Sequence, residues 1–226
     1  MTKIIRVVGR QVFDSRGNPT VEAEVYLNDK TKALSIVPSG ASTGAFEAYE
    51  LRDNNKNYFL GKSVLKAVEN INTVINKSLK NIEVSDQKKI DQILINLDGT
   101  DNKKKLGANA LLAVSLASAK AAARSKKKEL YKHLGKKFLL PKPLMNIING
   151  GAHADNNLRI QEFMIRPDSA KNFMDAIEKC FLVIQNLKKI LLSKNLSTNV
   201  GDEGGFAPSI NSNEEALEFV VDAIQK

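Results

Sequence analysis

The sequence predicts two domains. The first is an α+β domain, a three-stranded antiparallel meander plus helices, over residues 1–134. The second, over 140–226, opens as strand, strand, helix, helix. Three observations predict this. Strand-like runs of branched residues, one of them strictly alternating, fill the first forty positions. Helical spacing of apolar residues takes over after residue 60. A basic, proline-punctuated stretch from Tyr131 to Pro143 then separates this rhythm from a second, strand-rich one.

Each element follows from local pattern. Lys3 to Phe13 is rich in isoleucine and valine, and Asp14 to Pro19 is a turn cluster. Val21, Ala23, Val25 and Leu27 alternate with Glu22, Glu24 and Tyr26, which predicts one buried face and one wet face. Asn28-Asp29-Lys30 makes the next turn, and Ala33 to Val37 the third strand. Val64, Val68, Ile71, Ile75 and Leu79 form one helical stripe. Ser85 is the expected N-cap of the next helix, which buries Ile90, Ile93, Leu94 and Leu97 and stops at Gly99. Leu106 to Arg124 is alanine-rich almost all round, as an enclosed helix is. Past the boundary, Leu144 to Ile148 and Ile160 to Ile165 read as strands. A long helix follows, with Phe173, Ile177, Cys180, Ile184, Leu187 and Leu191 on one face, and Asn213 opens the last helix with Glu214 and Glu215 in its first turn.

Composition narrows the function classes. With 42% hydrophobic and 26% charged residues, the 226-residue chain has a globular composition. One cysteine excludes an internal disulfide framework and a cysteine-based zinc site, and Cys180 reads as a core residue with no histidine placed to activate it. The net charge of +9 rests on 27 lysines and 7 arginines. The lysine clusters at 103–105, 126–128 and 136–137 have few aromatics between them and no arginine forks, so a solvated surface is expected and neither nucleic acid nor membrane is a primary partner. Residues 1–20 lack the apolar core of a signal peptide, and Gly107 to Ala123 is too weakly apolar to span a bilayer, so the expected location is cytoplasmic.

Four segments set polar or acidic residues among glycines, where a simple core wants neither. Pro38 to Gly44 follows a strand, and its small residues would let the backbone approach an anion, with hydroxyls from Ser39, Ser42 and Thr43. A flexible turn reads equally well. Asn149 to Asn156 follows a strand and carries His153, which could donate to a phosphate or carboxylate or be an ordinary hydrogen-bonded residue. In Ile160 to Ile165, alternation puts Ile160, Glu162 and Met164 on one face and Gln161, Phe163 and Ile165 on the other. A strand carboxylate among apolar residues is costly to bury without a cation or proton partner; an edge-strand salt bridge is the plain alternative. Gly201-Asp202-Glu203-Gly204-Gly205 is the strongest of the four. Its glycines allow a tight fold that could press one carboxylate against a small substrate and raise its proton affinity, although a solvated acidic loop also fits.

Taken together, the segments resemble the enolase (phosphopyruvate hydratase) family from about Ile5 onward. The resemblance rests on Phe13-Asp14-Ser15-Arg16-Gly17-Asn18-Pro19-Thr20-Val21-Glu22, Pro38 to Gly44, Glu50-Leu51-Arg52-Asp53 and Leu106-Gly107-Ala108-Asn109-Ala110. It continues through Asn149-Gly150-Gly151 with His153, Gln161-Glu162-Phe163-Met164-Ile165 and Asn199 to Gly205. Departures at Leu34-Ser35-Ile36 and Leu158-Arg159 touch no motif residue. The resemblance implies an enolase-type α/β barrel, of which residues 140–226 are the incomplete start with an antiparallel second strand. The implied reaction is reversible dehydration of 2-phospho-D-glycerate to phosphoenolpyruvate in glycolysis and gluconeogenesis, with two Mg2+ ions per site in an intact homodimer. It also implies that Ser39 ligates the second magnesium, that His153 lies beside the substrate phosphate and that Gln161 and Glu162 line the site, with Glu162 near the leaving hydroxyl. Glu203 is then the general acid, its proton affinity raised by burial and by Glu162.

The family's lysine base and main magnesium ligands are expected beyond residue 226. An eight-stranded barrel takes about 250 residues, and only 86 follow position 140. The chain is therefore read as an N-terminal portion of an enolase that is inactive by itself. The alternative is a non-catalytic, truncated enolase-like chain with a binding or scaffold role. A sugar-acid dehydratase of the same superfamily is the nearest enzymatic rival, and the segments at 161–162 and 201–205 argue against it.

Overall fold

The computed structural model describes residues 1–40 and 44–226. The chain divides into two compact units, Met1–Lys137 and Phe138–Lys226. No helix among the described residues is long and apolar enough to cross a membrane.

In the first unit, β1 (Ile4–Phe13), β2 (Pro19–Leu27) and β3 (Lys32–Val37) form an antiparallel meander in the order β1-β2-β3. Val7 pairs with Val25 and Val25 with Ala33, so the branched residues share the face that meets α4 (Ala108–Ser125). Small residues such as Ala110, Ala113, Ala117 and Ala121 are buried along α4, which lets the helix approach the sheet closely. The helical stripe runs through α1 (Leu65–Asn70), a π-helical turn (Ile71–Ile75) and α2 (Asn76–Leu79), with Ile71, Ile75 and Leu79 fully buried. Asn72 Oδ1 accepts from the Gly9 amide at 2.8 Å, Asn72 Nδ2 donates to the Gly9 carbonyl at 3.1 Å, and Asn76 Oδ1 accepts from the Val7 amide at 2.8 Å. These amides occupy the free edge of β1, where an uncovered row of peptide groups would invite another strand.

Two expectations need correction here. The supposed wet face of β2 is not wet: Glu24 is 5% exposed. It is tolerated because Arg10 Nη2 donates to it at 2.7 Å, Tyr26 Oη donates at 2.7 Å, and Lys32 Nζ lies at 3.2 Å. Together these hold its carboxyl down at about 2, the Arg10 hydrogen bond contributing most. The N-cap of α3 (Gln87–Asp98) is Asp86, whose side chain accepts from the Lys89 amide at 3.1 Å. Ser85 instead donates to Glu83. Gly99, with φ +67°, closes α3 as the pattern required. The short helix α5 (Leu130–Leu134) follows α4.

In the second unit, β4 (Met145–Asn149) pairs antiparallel with β5 (Glu162–Ile165), Asn149 standing opposite Glu162. β5 is shorter than its apolar pattern because Gln161 and Leu158 give their carbonyls to the Gly150 and Gly151 amides of the preceding loop. Phe163 and Ile165 point into the core while Ile160 and Met164 stay largely exposed, the alternation the sequence carries. α6 (Phe173–Ser193) is capped by Asn172, and α7 (Asn213–Gln225) by Ser212, one residue before the expected start. Cys180, Leu187 and Leu191 of α6 are fully buried, in one core with Ile148, Phe163 and Phe219. Phe173, expected on that face, is 40% exposed at the first turn.

Candidate active site

The site of the second unit grows from the end of β4. Apolar Ile147 and Ile148 are buried, Asn149 ends the strand, and the chain turns at Gly151, whose φ is +54°. The Gly150 amide donates to the Gln161 carbonyl at 3.0 Å and the Gly151 amide to the Leu158 carbonyl at 2.7 Å, which folds the loop back over the start of β5. A single 3-10 turn, Gly151–His153, then tucks His153 inside at 6% exposure. Its Nδ1 lies 3.7 Å from Glu162 Oε1. Neither ring nitrogen has a hydrogen-bond partner among the described residues. Buried donors of this kind are costly for stability alone and suited to receiving a polar ligand.

The acidic segment is a hairpin docked on the same strand. Val200 bridges Phe206 antiparallel, the Gly201 amide donates to the Gly205 carbonyl at 2.9 Å, and the Ala207 amide to the Asn199 carbonyl at 2.8 Å. Phe206 continues the sheet beside β4, donating to the Ile147 carbonyl at 2.9 Å and accepting from the Asn149 amide at 2.8 Å. The Asp202 amide donates to the His153 carbonyl at 3.2 Å, which ties the hairpin to the histidine loop. Three of the four segments thus meet around the end of β4.

The individual side chains are placed unequally. Glu162 is partly covered, its side chain 34% exposed, and Gln161 is exposed. The burial expected of Glu203 is not found: it is exposed at the hairpin tip with Asp202, because the hydrogen bonds to β4 hold the base and the tip projects beyond them. Ser39 belongs to the first unit. It is half-buried beyond β3, its carbonyl accepts from Arg16 Nη2 at 2.6 Å, and it borders a cavity of about 600 Å3 shared with Val37, Glu50, Asp91 and Ser115. The hydroxyls of Ser42 and Thr43 lie outside the described residues. Among the described residues no group of three or more His, Cys, Asp or Glu could hold a metal ion.

Sequence reasoning gave Asn149 no role, yet it is fully buried at the meeting point of the loops. Its carbonyl accepts from Asn156 Nδ2 at 2.9 Å, and Asn156 also donates to the Pro208 carbonyl at 3.1 Å. The available signal was an amide side chain ending an apolar strand directly before two glycines.

Comparison with known proteins fits this arrangement. A family model for the enolase N-terminal domain matches residues 4–134, and one for the enolase C-terminal TIM barrel domain matches residues 137–226. A curated enolase of Pelagibacter ubique (strain HTCC1062) is 61% identical over 228 aligned residues, covering 100% of this chain and 54% of that relative. The chain therefore spans about half the length of the curated relative it matches.

Proposed function

This chain belongs to the enolase family, and from that premise we propose that its residues serve the reversible dehydration of 2-phospho-D-glycerate to phosphoenolpyruvate, a glycolytic carbon–oxygen lyase reaction. The observation that carries the proposal is the docking of the Gly201–Gly205 hairpin on β4 beside buried His153 and Glu162. The chemical difficulty is a weakly acidic C–H next to a carboxylate, followed by loss of a poor leaving group. The general enolase-superfamily scheme, a lysine or histidine base with one or two magnesium ions, is taken as given. Within it, His153 offers ring nitrogens to the substrate phosphate. Gln161 and Glu162 line the site, Glu162 near the leaving hydroxyl, and Glu203 delivers the proton that lets hydroxide depart as water.

Two magnesium ions per site are part of the proposal, with Ser39 giving one oxygen to the second. One hydroxyl does not make a magnesium site, since the ion takes six oxygens, some of them water. The described residues alone therefore do not fit the ion, and no step is derived through it. We further propose a homodimer, supported by Leu34 and Ile36, which stand 44% and 42% exposed on the outer face of β3. A cytoplasmic setting accords with a single, buried, unpaired cysteine.

The 226 residues by themselves are proposed to be inactive. Two strands do not close a barrel, and Glu203 is exposed without the dry surroundings that proton transfer to hydroxide requires. The experiment assays the purified chain with magnesium and 2-phosphoglycerate, then the same chain fused to the complementary C-terminal part of the Pelagibacter relative. Phosphoenolpyruvate should form only with the fusion, and Glu203→Ala should lower its kcat at least about 100-fold, within the range for removing a general acid. Turnover by the chain alone, or an unimpaired Glu203→Ala fusion, overturns the proposal.

A further inference from the structure

We propose that Asn149 is the positioning residue of this site: a buried amide that fixes the Gly201–Gly205 hairpin, and with it Glu203, on the end of β4. The part that concerns Glu203 rests on the enolase reading above.

The side chain of Asn149 packs directly against the hairpin. A Cβ placed on Gly201 would collide with Asn149 Nδ2 and the His153 carbonyl, and one placed on Gly205 would lie 2.7 Å from Asn149 Oδ1 and 2.9 Å from the backbone of Ile147 and Ile148. The side-chain amide thus lies against both glycines of the hairpin, where the backbone of β4 and of the histidine loop also leaves no room for a side chain. The side-chain Oδ1 of Asn149 accepts from Asn146 Nδ2 on the same strand, while its backbone N–H donates to the Phe206 carbonyl and its backbone carbonyl accepts from Asn156. Its backbone thus ties the hairpin and the histidine loop to β4, its side chain packs against the two hairpin glycines, and it stands opposite Glu162 across the sheet.

Stability alone does not select asparagine here. The two preceding residues are isoleucines buried to 2% and 0%, and Asn149 is itself 0% exposed, with Nδ2 lacking a hydrogen-bond partner among the described residues. An apolar residue of similar size would avoid that orphaned donor. A buried polar group kept against its solvation cost, at the junction of the chemistry-bearing loops, is explained by the placement it enforces.

The test is residue-resolved amide hydrogen exchange on the 226-residue chain, without substrate or metal. In Asn149→Ala, the amides of Gly201, Asp202, Phe206 and Ala207 should exchange at least tenfold faster. Those of Cys180, Leu187 and Val220 should stay within twofold of the parent. Asn149→Thr, close in volume and still able to hydrogen-bond, should recover most of the lost protection. If the alanine chain fails to fold, the threonine chain decides, with a smaller acceleration confined to the hairpin. Hairpin rates unchanged within twofold, or equal acceleration across α6 and α7 in the folded variant, overturns the proposal. Because nothing is turned over, the result is independent of the enolase assay: lost hairpin protection with an inactive fusion sinks the enolase reading alone, and intact protection with an active fusion sinks only the role of Asn149.

Discussion

Nδ1 of His153 stands 3.7 Å from Oε1 of Glu162, a separation too long for a hydrogen bond. The ring is 6% exposed and keeps both nitrogens without a partner among the described residues. Such a residue adds no hydrogen bond to the core that encloses it. Replacing it with an apolar side chain of similar size, His153→Leu, should leave the chain equally stable or more stable by up to about 1 kcal/mol, because an unsatisfied buried group is removed. Scanning calorimetry of the chain reads this, while the active fusion should lose at least about tenfold in kcat/KM. A fall in stability beyond about 1 kcal/mol would make the ring a structural member of the core.

Acid should weaken the first unit through Glu24. Its carboxyl titrates at about 2 in the folded chain against an ordinary 4.5, chiefly through the Arg10 hydrogen bond and then through Tyr26. A carboxylate with a depressed folded pKa contributes stability that is complete above the ordinary value and disappears as pH falls through the folded one. The contribution should therefore be full above about pH 5 and drain away toward pH 2. Arg10 is 41% exposed, so solvent screening reduces the effect to about 1–2 kcal/mol. Urea titrations of Glu24→Gln and the parent at pH 7, 4.5 and 3 should show a gap that narrows steadily with acid; a gap independent of pH would remove the carboxylate from the account.

Capping of α3 separates two adjacent residues. Asp86→Ala should cost about 1 kcal/mol, the usual effect of losing an N-cap acceptor. Ser85→Ala, which loses only an exposed bond to Glu83, should stay within about 0.5 kcal/mol. Thermal midpoints of the two variants decide the order, and the reverse ranking would return the cap to Ser85.

Much of this architecture was legible because apolar spacing reports which face is buried. The buried face of Val21, Ala23, Val25 and Leu27 on β2 and the burial of Cys180 both follow from it. What spacing does not carry is the company a side chain keeps. Glu24 looks solvent-facing from its own strand, and it is buried by an arginine from β1 and a lysine from β3. The stripe Val64, Val68, Ile71, Ile75, Leu79 steps by three and four whether the ladder closes as α or as π, so the widened turn at Ile71–Ile75 left no mark. Segments around the site were readable as glycine-rich polar islands. The residue that joins them, Asn149, was hidden because its importance lies in a fit against Gly201 and Gly205, more than fifty positions away.

That widened turn also bears on how this lineage can change. Each residue advances a regular helix by about 100°, so shortening the regular stretch Leu65–Asn70 ahead of the widened turn by a single codon, with that turn kept, would swing one end of it around the other. Either Asn72 and Asn76 would leave the backbone of β1, or Ala67 would turn out of the interior. Point replacements on its outer surface disturb neither arrangement. Inheritance can therefore vary the letters of this helix far more freely than its length.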